Sequence, residues 1–161
     1  MSRIACILLA AGAGRRFGGD KLRYEVDGVS MAERALRLHR SLPYAFRILV
    51  TRPGDSFVAE LGEAYGFTVV VNELAEKGIG TSAAKGMQTV LSQKENFDGA
   101  LYGVCDQPYL TKATVQSLWD AFSDHPERIV APVYGQERGN PVIFPANTFS
   151  ELTLLDGDRG G

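Results

Sequence analysis

Short apolar segments alternate with amphipathic ones along most of the chain, and this pattern predicts a parallel sheet covered by helices. Ile4–Ala10 is apolar at every position and runs into glycine-rich sequence, so we expect a first strand that is buried on both faces. Three later apolar segments predict further strands: Phe46–Thr51, Phe67–Val71 and Ala100–Cys105. The alternation predicts one α/β domain over residues 1–161, with a doubly wound, mostly parallel sheet and right-handed crossovers.

Polar capping residues mark the helices between these strands, because their side chains accept hydrogen bonds from the first free backbone amides. Four residues stand at such positions: Ser30, Asp55, Thr81 and Thr111. Ser30 and Glu33 together fit a capping box, and Pro43 helps to stop the helix that follows. The helix after Thr81 is predicted to continue to about Ser92.

The pattern changes after His125. Ile129–Tyr134 and Pro141–Phe144 flank the polar loop 135–139 and predict a late antiparallel strand pair. Asn147–Leu155 predicts a last short helix. Since no repeat or linker interrupts the sequence, we assign all these elements to the same domain.

Charge and cysteine content narrow the classes of function. Seventeen Lys and Arg against nineteen Asp and Glu give a net charge of −2, so the basic face that nucleic-acid binding requires is not evident and no nucleic-acid partner is expected. The longest apolar run, Ile4–Ala13, is about half the length of a membrane span. It has features of a signal peptide, but Arg and Lys residues follow at once and the same run predicts the first strand. Because this run is too short to span a bilayer, we expect no membrane partner. Cys6 and Cys105 lie inside apolar runs, which predicts buried free thiols in a reducing compartment, so we expect a cytoplasmic protein.

The loop after the first strand carries the strongest chemical signal. Between Leu9 and Lys21 it places four glycines and three cations at the carboxyl end of a strand, where doubly wound sheets bind their ligands. Glycines let backbone amides approach phosphate oxygens closely, and Arg and Lys neutralise the remaining charge. The candidate nucleotide-binding residues of this loop are Leu9, Ala10, Ala11, Gly12, Gly14, Arg16 and Lys21.

Two familiar glycine motifs fit this loop poorly. A dinucleotide-binding fingerprint requires a third glycine where Phe17 stands, and a P-loop requires Gly-Lys-Ser/Thr, whereas Lys21 lies between Asp20 and Leu22. A nicotinamide-dependent oxidoreductase, with Arg52 near the end of the second strand meeting a 2′-phosphate, stays open as an alternative.

Two more segments are predicted to reach the same edge of the sheet. Asp106 follows the fourth strand, and one carboxylate facing a triphosphate suits Mg²⁺, which keeps several waters and takes one or two carboxylates plus phosphate oxygens. Asn72 begins the turn after the third strand. Gly80, Thr81 and Ser82 then open a helix with free amides and hydroxyls.

The first loop, Leu-Ala-Ala-Gly-x-Gly-x-Arg-x-Gly-x-x-Lys over residues 9–21, resembles without a gap the signature of the MobA-like NTP-transferase family. Cys-Asp-Gln-Pro at 105–108 and Gly-Asn-Pro-Val at 139–142 are similar to two further segments of this family. The resemblance implies a Rossmann-like fold of the nucleotide-diphospho-sugar transferase type and a Mg²⁺-dependent nucleotidyltransferase.

The same resemblance implies roles for individual residues. Arg16, Lys21 and Asp106 would be catalytic, with Asp106 as the metal ligand. The segment that reads the nucleotide base would comprise Asn72, Gly80, Thr81 and Ser82. The segment that faces the acceptor would comprise Gly139, Asn140 and Pro141.

The form Leu-Ala-Ala-Gly, taken with Cys-Asp-Gln-Pro and Gly-Asn-Pro-Val, looks most like the molybdenum cofactor cytidylyltransferase branch, whose members attach CMP from CTP to molybdopterin. This implies a phosphorylated pterin acceptor, release of pyrophosphate and a molybdoenzyme as maturation partner. The guanylyltransferase branch, which uses GTP, and a nucleotide-binding domain without catalysis are the alternatives. The family continues past the position of Gly161 with a strand and a helix that carry a second metal-binding residue, so we expect this chain to lack that segment.

Overall fold

The computed structural model describes residues 1–12 and 20–157. In chain order the strands are β1 (Ile4–Ala10), β2 (Glu25–Val26), β3 (Val29–Ser30), β4 (Phe46–Thr51), β5 (Thr68–Val71), β6 (Gly99–Val104), β7 (Val133–Tyr134), β8 (Glu137–Arg138) and β9 (Val142–Pro145). The α-helices are α1 (Met31–Arg40), α2 (Ser56–Ala64), α3 (Ile79–Leu91), α4 (Lys112–Asp124) and α5 (Phe149–Leu152). Short 3-10 turns cover Lys21–Arg23, Ala75–Lys77 and Ala146–Thr148.

A five-stranded sheet with the order β5-β4-β1-β6-β9 forms the centre of the described part. β4 and β6 both pair with β1 in parallel, and β5 pairs with β4 in parallel. β9 runs antiparallel beside β6. The predicted α/β class with a doubly wound, mostly parallel sheet is therefore confirmed.

The continuous apolar character of β1 reflects burial on both of its faces. Ile4, Cys6 and Leu8 belong to one hydrophobic core, which the sheet forms with α1, α2 and α4. Ala5 and Ile7 lie on the opposite face, in a second core with α3 and α5. All five side chains are fully buried, because successive strand residues point to opposite faces and helices cover both.

Three of the four predicted helix caps are confirmed. The side chains of Ser30, Asp55 and Thr111 each accept a hydrogen bond from the backbone amide three residues further on. In the predicted capping box, the Glu33 side chain would also accept a hydrogen bond from the Ser30 amide. The Glu33 carboxylate instead accepts hydrogen bonds from Arg37 and from the hydroxyl of Tyr65.

The predicted cap at Thr81 is wrong. α3 begins earlier, at Ile79, and Gly78 is its N-cap residue with a φ of 118°. A side chain would strain this backbone conformation, so glycine is suited to the position. Thr81 instead lies in the first turn, where its hydroxyl is 2.7 Å from the Gly78 carbonyl oxygen.

The late antiparallel pairing differs in detail from the prediction. Ile129–Tyr134 and Pro141–Phe144 meet at a single bridge, Val130 with Ile143, within the described residues. β7 pairs instead with β8 in a small hairpin, and β9 pairs with β6. The apolar side chains of β9 explain its place, because Ile143 and Phe144 are buried when the strand completes the edge of the central sheet.

The predicted last helix, Asn147–Leu155, is shorter in the structure. A 3-10 turn precedes α5, which ends at Leu152. No helix among the described residues is long and apolar enough to cross a membrane.

Candidate active site

The carboxyl ends of four parallel strands meet at one edge of the sheet. Register pairs Ala10 of β1 with Thr51 of β4, and Thr51 with Val71 of β5. On the other side of β1, Leu9 pairs with Val104 of β6. The segments that follow these strands are therefore neighbours, although they are far apart in the sequence.

Lys21 and Asp106 meet at this edge, as the sequence predicts. The Lys21 ammonium lies 3.0 Å from Oδ2 of Asp106, across 85 positions of sequence. A 3-10 turn positions Lys21, and the side chain of Asp20 caps that turn by accepting a hydrogen bond from the Leu22 amide at 3.2 Å. Two further predicted residues, Gly14 and Arg16, lie outside the described residues.

Asp106 is suited to a metal ion that takes most of its ligands from elsewhere. Its side chain is 38% exposed. Among the described residues no group of three or more His, Cys, Asp or Glu side chains is arranged to hold a metal. One accessible carboxylate fits Mg²⁺ bound together with a triphosphate, because phosphate oxygens and water fill the other positions.

Cys105 precedes Asp106 but belongs to the core. Burial, with a smaller contribution from the neighbouring Asp106 charge, raises the pKa of its thiol to about 12. The thiol is therefore protonated at neutral pH and does not act as a nucleophile. This agrees with the prediction of buried free cysteines, which also holds for Cys6.

The residues predicted to read the base form a network with one another. Asn72 is 3% exposed, and its amide nitrogen donates to the hydroxyls of Thr81 at 2.9 Å and Ser82 at 2.8 Å. Its amide oxygen accepts from the Leu74 backbone at 3.0 Å. The network fixes the turn between β5 and α3, so these side chains determine the conformation of the chain at this edge of the sheet.

Gly80 is also engaged within the protein. Its backbone amide donates to the carbonyl of Gly157 at 2.7 Å. The contact brings the last described residue against the start of α3, beside the network of Asn72.

The segment predicted to face the acceptor lies against the Asp106 segment. The carbonyl oxygen of Asn140 accepts hydrogen bonds from the Gln107 amide and from the Tyr134 hydroxyl, both at 3.1 Å. The ring of Tyr134 packs over Gly139 so closely that an added Cβ there would lie 2.5 Å from it. Pro141 follows and is buried.

A cavity of about 180 Å³ connects the two predicted binding segments. Leu9 lines it from the nucleotide side, Asn140 from the acceptor side, and Val104 of β6 lies between them in the sheet order. The other lining residues are mostly apolar: Ile79, Ala83, Tyr102, Gly103, Val142, Phe144, Leu152 and Leu155.

Three residues at this edge are absent from the set predicted from the sequence. Gln107 and Tyr134 hold the acceptor segment through a backbone carbonyl. Arg52 donates to the carbonyl of Gly12 at 3.1 Å and lies 3.7 Å from carboxylate oxygens of Asp20 and Asp55. Its place directly after β4 is the one sequence signal for it. In the nicotinamide alternative, the Arg52 guanidinium would bind a 2′-phosphate. These contacts within the protein already occupy the guanidinium, which disfavours that alternative.

Known proteins resemble the chain over nearly its whole length. The purine catabolism protein PucB of Bacillus subtilis (strain 168) is 26% identical over 161 residues, which cover 96% of this chain and 76% of PucB. Rv0371c from Mycobacterium tuberculosis H37Rv superposes with a TM-score of 0.83 at 25% identity, over 99% of this chain and 80% of that one. A structure of Rv0371c in complex with manganese has a TM-score of 0.77 at 23% identity, over 98% and 78% of the two chains.

The model of the MobA-like NTP transferase domain matches residues 6–161. The match includes both Lys21 and Asp106, which the fold brings together at the sheet edge. The chain belongs to the MobA-like NTP transferase family and is a nucleotidyltransferase of that type.

Proposed function

We propose that this protein transfers CMP from CTP to the terminal phosphate of molybdopterin, with Mg²⁺ at Asp106 and with release of pyrophosphate. The contact between Lys21 and Asp106, at 3.0 Å, carries the proposal. Asp106 is two residues beyond Val104, and Val104, Leu9 and Asn140 line the same cavity. The Lys21 ammonium and the Asp106 carboxylate thus lie beside the region where a nucleoside triphosphate and an acceptor phosphate would meet.

An in-line displacement accounts for the reaction. An oxygen of the acceptor phosphate forms a bond to the α-phosphorus, while the bond from the α-phosphorus to the bridging oxygen breaks and its electron pair leaves with pyrophosphate. Lys21 exchanges Asp106 for the phosphate oxygens and, with Arg16, balances their charge. When bound, Mg²⁺ supplies a Lewis acid next to Asp106. Orientation and charge stabilisation suffice, and no covalent enzyme intermediate is required.

The metal and the nucleotide are supported by separate observations. The manganese complex of Rv0371c supports a divalent cation, and the single accessible carboxylate of Asp106 supports Mg²⁺. The Leu-Ala-Ala-Gly form of the loop supports CTP.

Location and partner are proposed on other grounds. Cys6 and Cys105 are unpaired and buried, which supports a reducing compartment such as the cytoplasm. The molybdoenzyme that receives the product is proposed from the resemblance of the three motifs. The assignment of residues 1–161 to a single domain is part of the same proposal.

Pyrophosphate release from CTP or GTP, with molybdopterin as acceptor and with or without Mg²⁺, tests the proposal. We expect Mg²⁺-dependent release that is faster with CTP. Thermal-shift measurements with CTP, GTP and NADPH accompany it, because a ligand at a hundredfold excess over its Kd stabilises the native state by about 2.7 kcal/mol. Faster release with GTP would assign the guanylyltransferase branch. Nucleotide binding without pyrophosphate release would indicate a binding domain, and a shift with NADPH alone would overturn the proposal.

A further inference from the structure

Arg52 contacts both described ends of the glycine-rich loop. Its Nη1 donates to the carbonyl oxygen of Gly12 at 3.1 Å, and its Nη2 lies 3.7 Å from Oδ2 of Asp20. The third nitrogen, Nε, lies 3.7 Å from Oδ2 of Asp55. Each guanidinium nitrogen therefore has its own partner, on three separate segments of the chain.

The side of Arg52 that faces α2 is fixed by the fold. Arg52 is the first residue after β4, and Thr51 before it is in register with Ala10 of β1. Asp55 caps α2 by accepting a hydrogen bond from the Val58 amide, and its side chain is 3% exposed. This buried carboxylate attracts the guanidinium from the α2 side, while Nη1 donates its hydrogen bond to the Gly12 carbonyl.

The two loop ends that Arg52 joins both lead to the candidate active site. Gly12 follows Ala11 at the end of β1. Asp20 caps the turn that carries Lys21, and Lys21 lies 3.0 Å from Asp106. A change in the separation of Gly12 and Asp20 would therefore move the Lys21 ammonium relative to the rest of the phosphate-binding segment.

We propose that Arg52 is a positioning residue of the nucleotide site, which holds the Gly12 carbonyl and the Asp20 turn at a fixed separation so that both loop ends meet the same triphosphate. The inference rests on the proposed function. Arg52 acts by fixing the distance between the two loop ends, whereas Lys21 places a positive charge at the phosphates. Within residues 1–12 and 20–157, no other side chain forms a hydrogen bond or ion pair with both Gly12 and Asp20.

Steady-state pyrophosphate release tests this role in Arg52→Gln and Arg52→Lys. Loss of a charge-assisted hydrogen bond to the loop is expected to raise the KM for CTP by about tenfold. The KM for the acceptor is expected to stay within twofold. Arg52→Lys should behave like Arg52→Gln, because one ammonium does not replace three directed nitrogens. Restoration of the CTP KM by lysine would show that charge alone matters and would overturn the inference.

Arg23→Gln is the matched control. Arg23 contacts the same Oδ2 of Asp20 at 3.1 Å, but its guanidinium packs over the ring of Phe57 at 4.5 Å. If the link between the two loop ends is what matters, this variant keeps a CTP KM within twofold of the wild type. An equal rise in Arg23→Gln and Arg52→Gln would assign the effect to Asp20 alone and would overturn the role of Arg52.

Hydrogen exchange without nucleotide separates the inference from the proposed function. We expect the peptide over residues 8–24 to exchange faster in Arg52→Gln than in the wild type and in Arg23→Gln. If the wild type neither binds nucleotide nor releases pyrophosphate, the proposed function fails, while the exchange rates still decide whether Arg52 joins the loop ends. Unchanged exchange, or an unchanged CTP KM in an active variant, would overturn the inference.

Discussion

Lys21 and Asp106 are each more than a third exposed, at 37% and 38%, so water screens their ion pair. Exposed pairs of this kind contribute at most about 1 kcal/mol to stability. We expect Asp106→Asn to keep its free energy of unfolding within about 1 kcal/mol of the wild type. Turnover is expected to fall about 100-fold or more, because the carboxylate proposed to bind the metal is lost. Urea denaturation and pyrophosphate release measure the two effects.

Asp120→Asn is the control for this prediction. Asp120 is exposed on α4, where it accepts a hydrogen bond from Gln116 at 3.0 Å. This variant should retain both stability and turnover. Near-normal turnover in Asp106→Asn would contradict the role given to Asp106, and a large loss of stability would show that the ion pair serves the fold.

His39 gives the fold a dependence on pH. It is fully buried on α1, with Nδ1 2.8 Å from the Tyr44 hydroxyl, and Nε2 has no hydrogen-bond partner among the described residues. Burial, with a smaller contribution from the nearby Arg47 charge, lowers the pKa of His39 from 6.5 to about 4. The unfolded chain therefore binds a proton at a pH where the folded chain does not, so the free energy of unfolding falls as the pH drops from 6.5 towards 4.

Between pH 7 and pH 5 we expect His39 to account for a loss of about 2 kcal/mol in the free energy of unfolding. Urea denaturation at the two pH values measures it in the wild type and in His39→Gln. Because glutamine does not titrate, the variant should lose less stability than the wild type over the same interval. Equal losses in both proteins would show that other groups cause the acid sensitivity.

At the scale of elements, Gly86 sets how closely α3 approaches the sheet. An added Cβ would lie 2.5 Å from Cγ2 of Ile7 and 3.5 Å from Cγ2 of Val50, and both side chains are fully buried. Alanine gains about 1 kcal/mol in helix propensity over glycine, but the clash in a packed core costs more. We expect Gly86→Ala to lower the free energy of unfolding by about 1–2 kcal/mol in urea denaturation. Lys85→Ala, on the exposed face of α3, should change it by less than about 0.5 kcal/mol.

The four parallel strands of the central sheet and the helices α1, α2 and α4 were predictable from the sequence because their signals are local, whereas the short strands β2 and β3 were not predicted. A run such as Ile4–Ala10 reports burial on both faces, and a cap such as Ser30 reports a helix start within three residues. The pairing of β9 was not predictable in the same way, because its partner β6 lies about forty residues earlier and the choice depends on which sheet edge is open. The start of α3 was misplaced because a glycine cap with positive φ leaves no polar signature.

The sequence predicts those parts of the candidate site that directly depend on where the parallel strands end. Lys21 and Asp106 come together because they follow neighbouring parallel strands. The contacts of Arg52 and Tyr134 were not predicted, because each side chain acts on a backbone carbonyl, of Gly12 or of Asn140. Arg52 was considered only as a partner of a 2′-phosphate. Such partners depend on the direction of a side chain in a loop, and hydrophobic periodicity carries no information about that direction.

At the scale of the whole molecule, the site is divided between two regions of the sheet. The segments predicted to bind the nucleotide follow β1 and β5, and the segment predicted to face the acceptor joins β8 to β9. The Asn140 carbonyl links the second region to the first, through the Gln107 amide that follows Asp106. Because this link is small, we expect substitutions in the acceptor segment to change the KM for the acceptor and to leave the KM for CTP nearly unchanged.

Gly139→Ala tests this separation. An added Cβ would lie 2.5 Å and 2.6 Å from ring carbons of Tyr134, so the ring must move and its hydroxyl loses the Asn140 carbonyl. We expect the KM for the acceptor to rise about tenfold, with the KM for CTP within twofold of the wild type. Tyr134→Phe removes the hydrogen bond without the clash and should give a smaller rise in the acceptor KM, whereas Gln136→Ala, in the exposed turn, should have no effect. A parallel rise in both KM values would mean that residues 139–141 support the site as a whole, and the division between the two substrates would then be wrong.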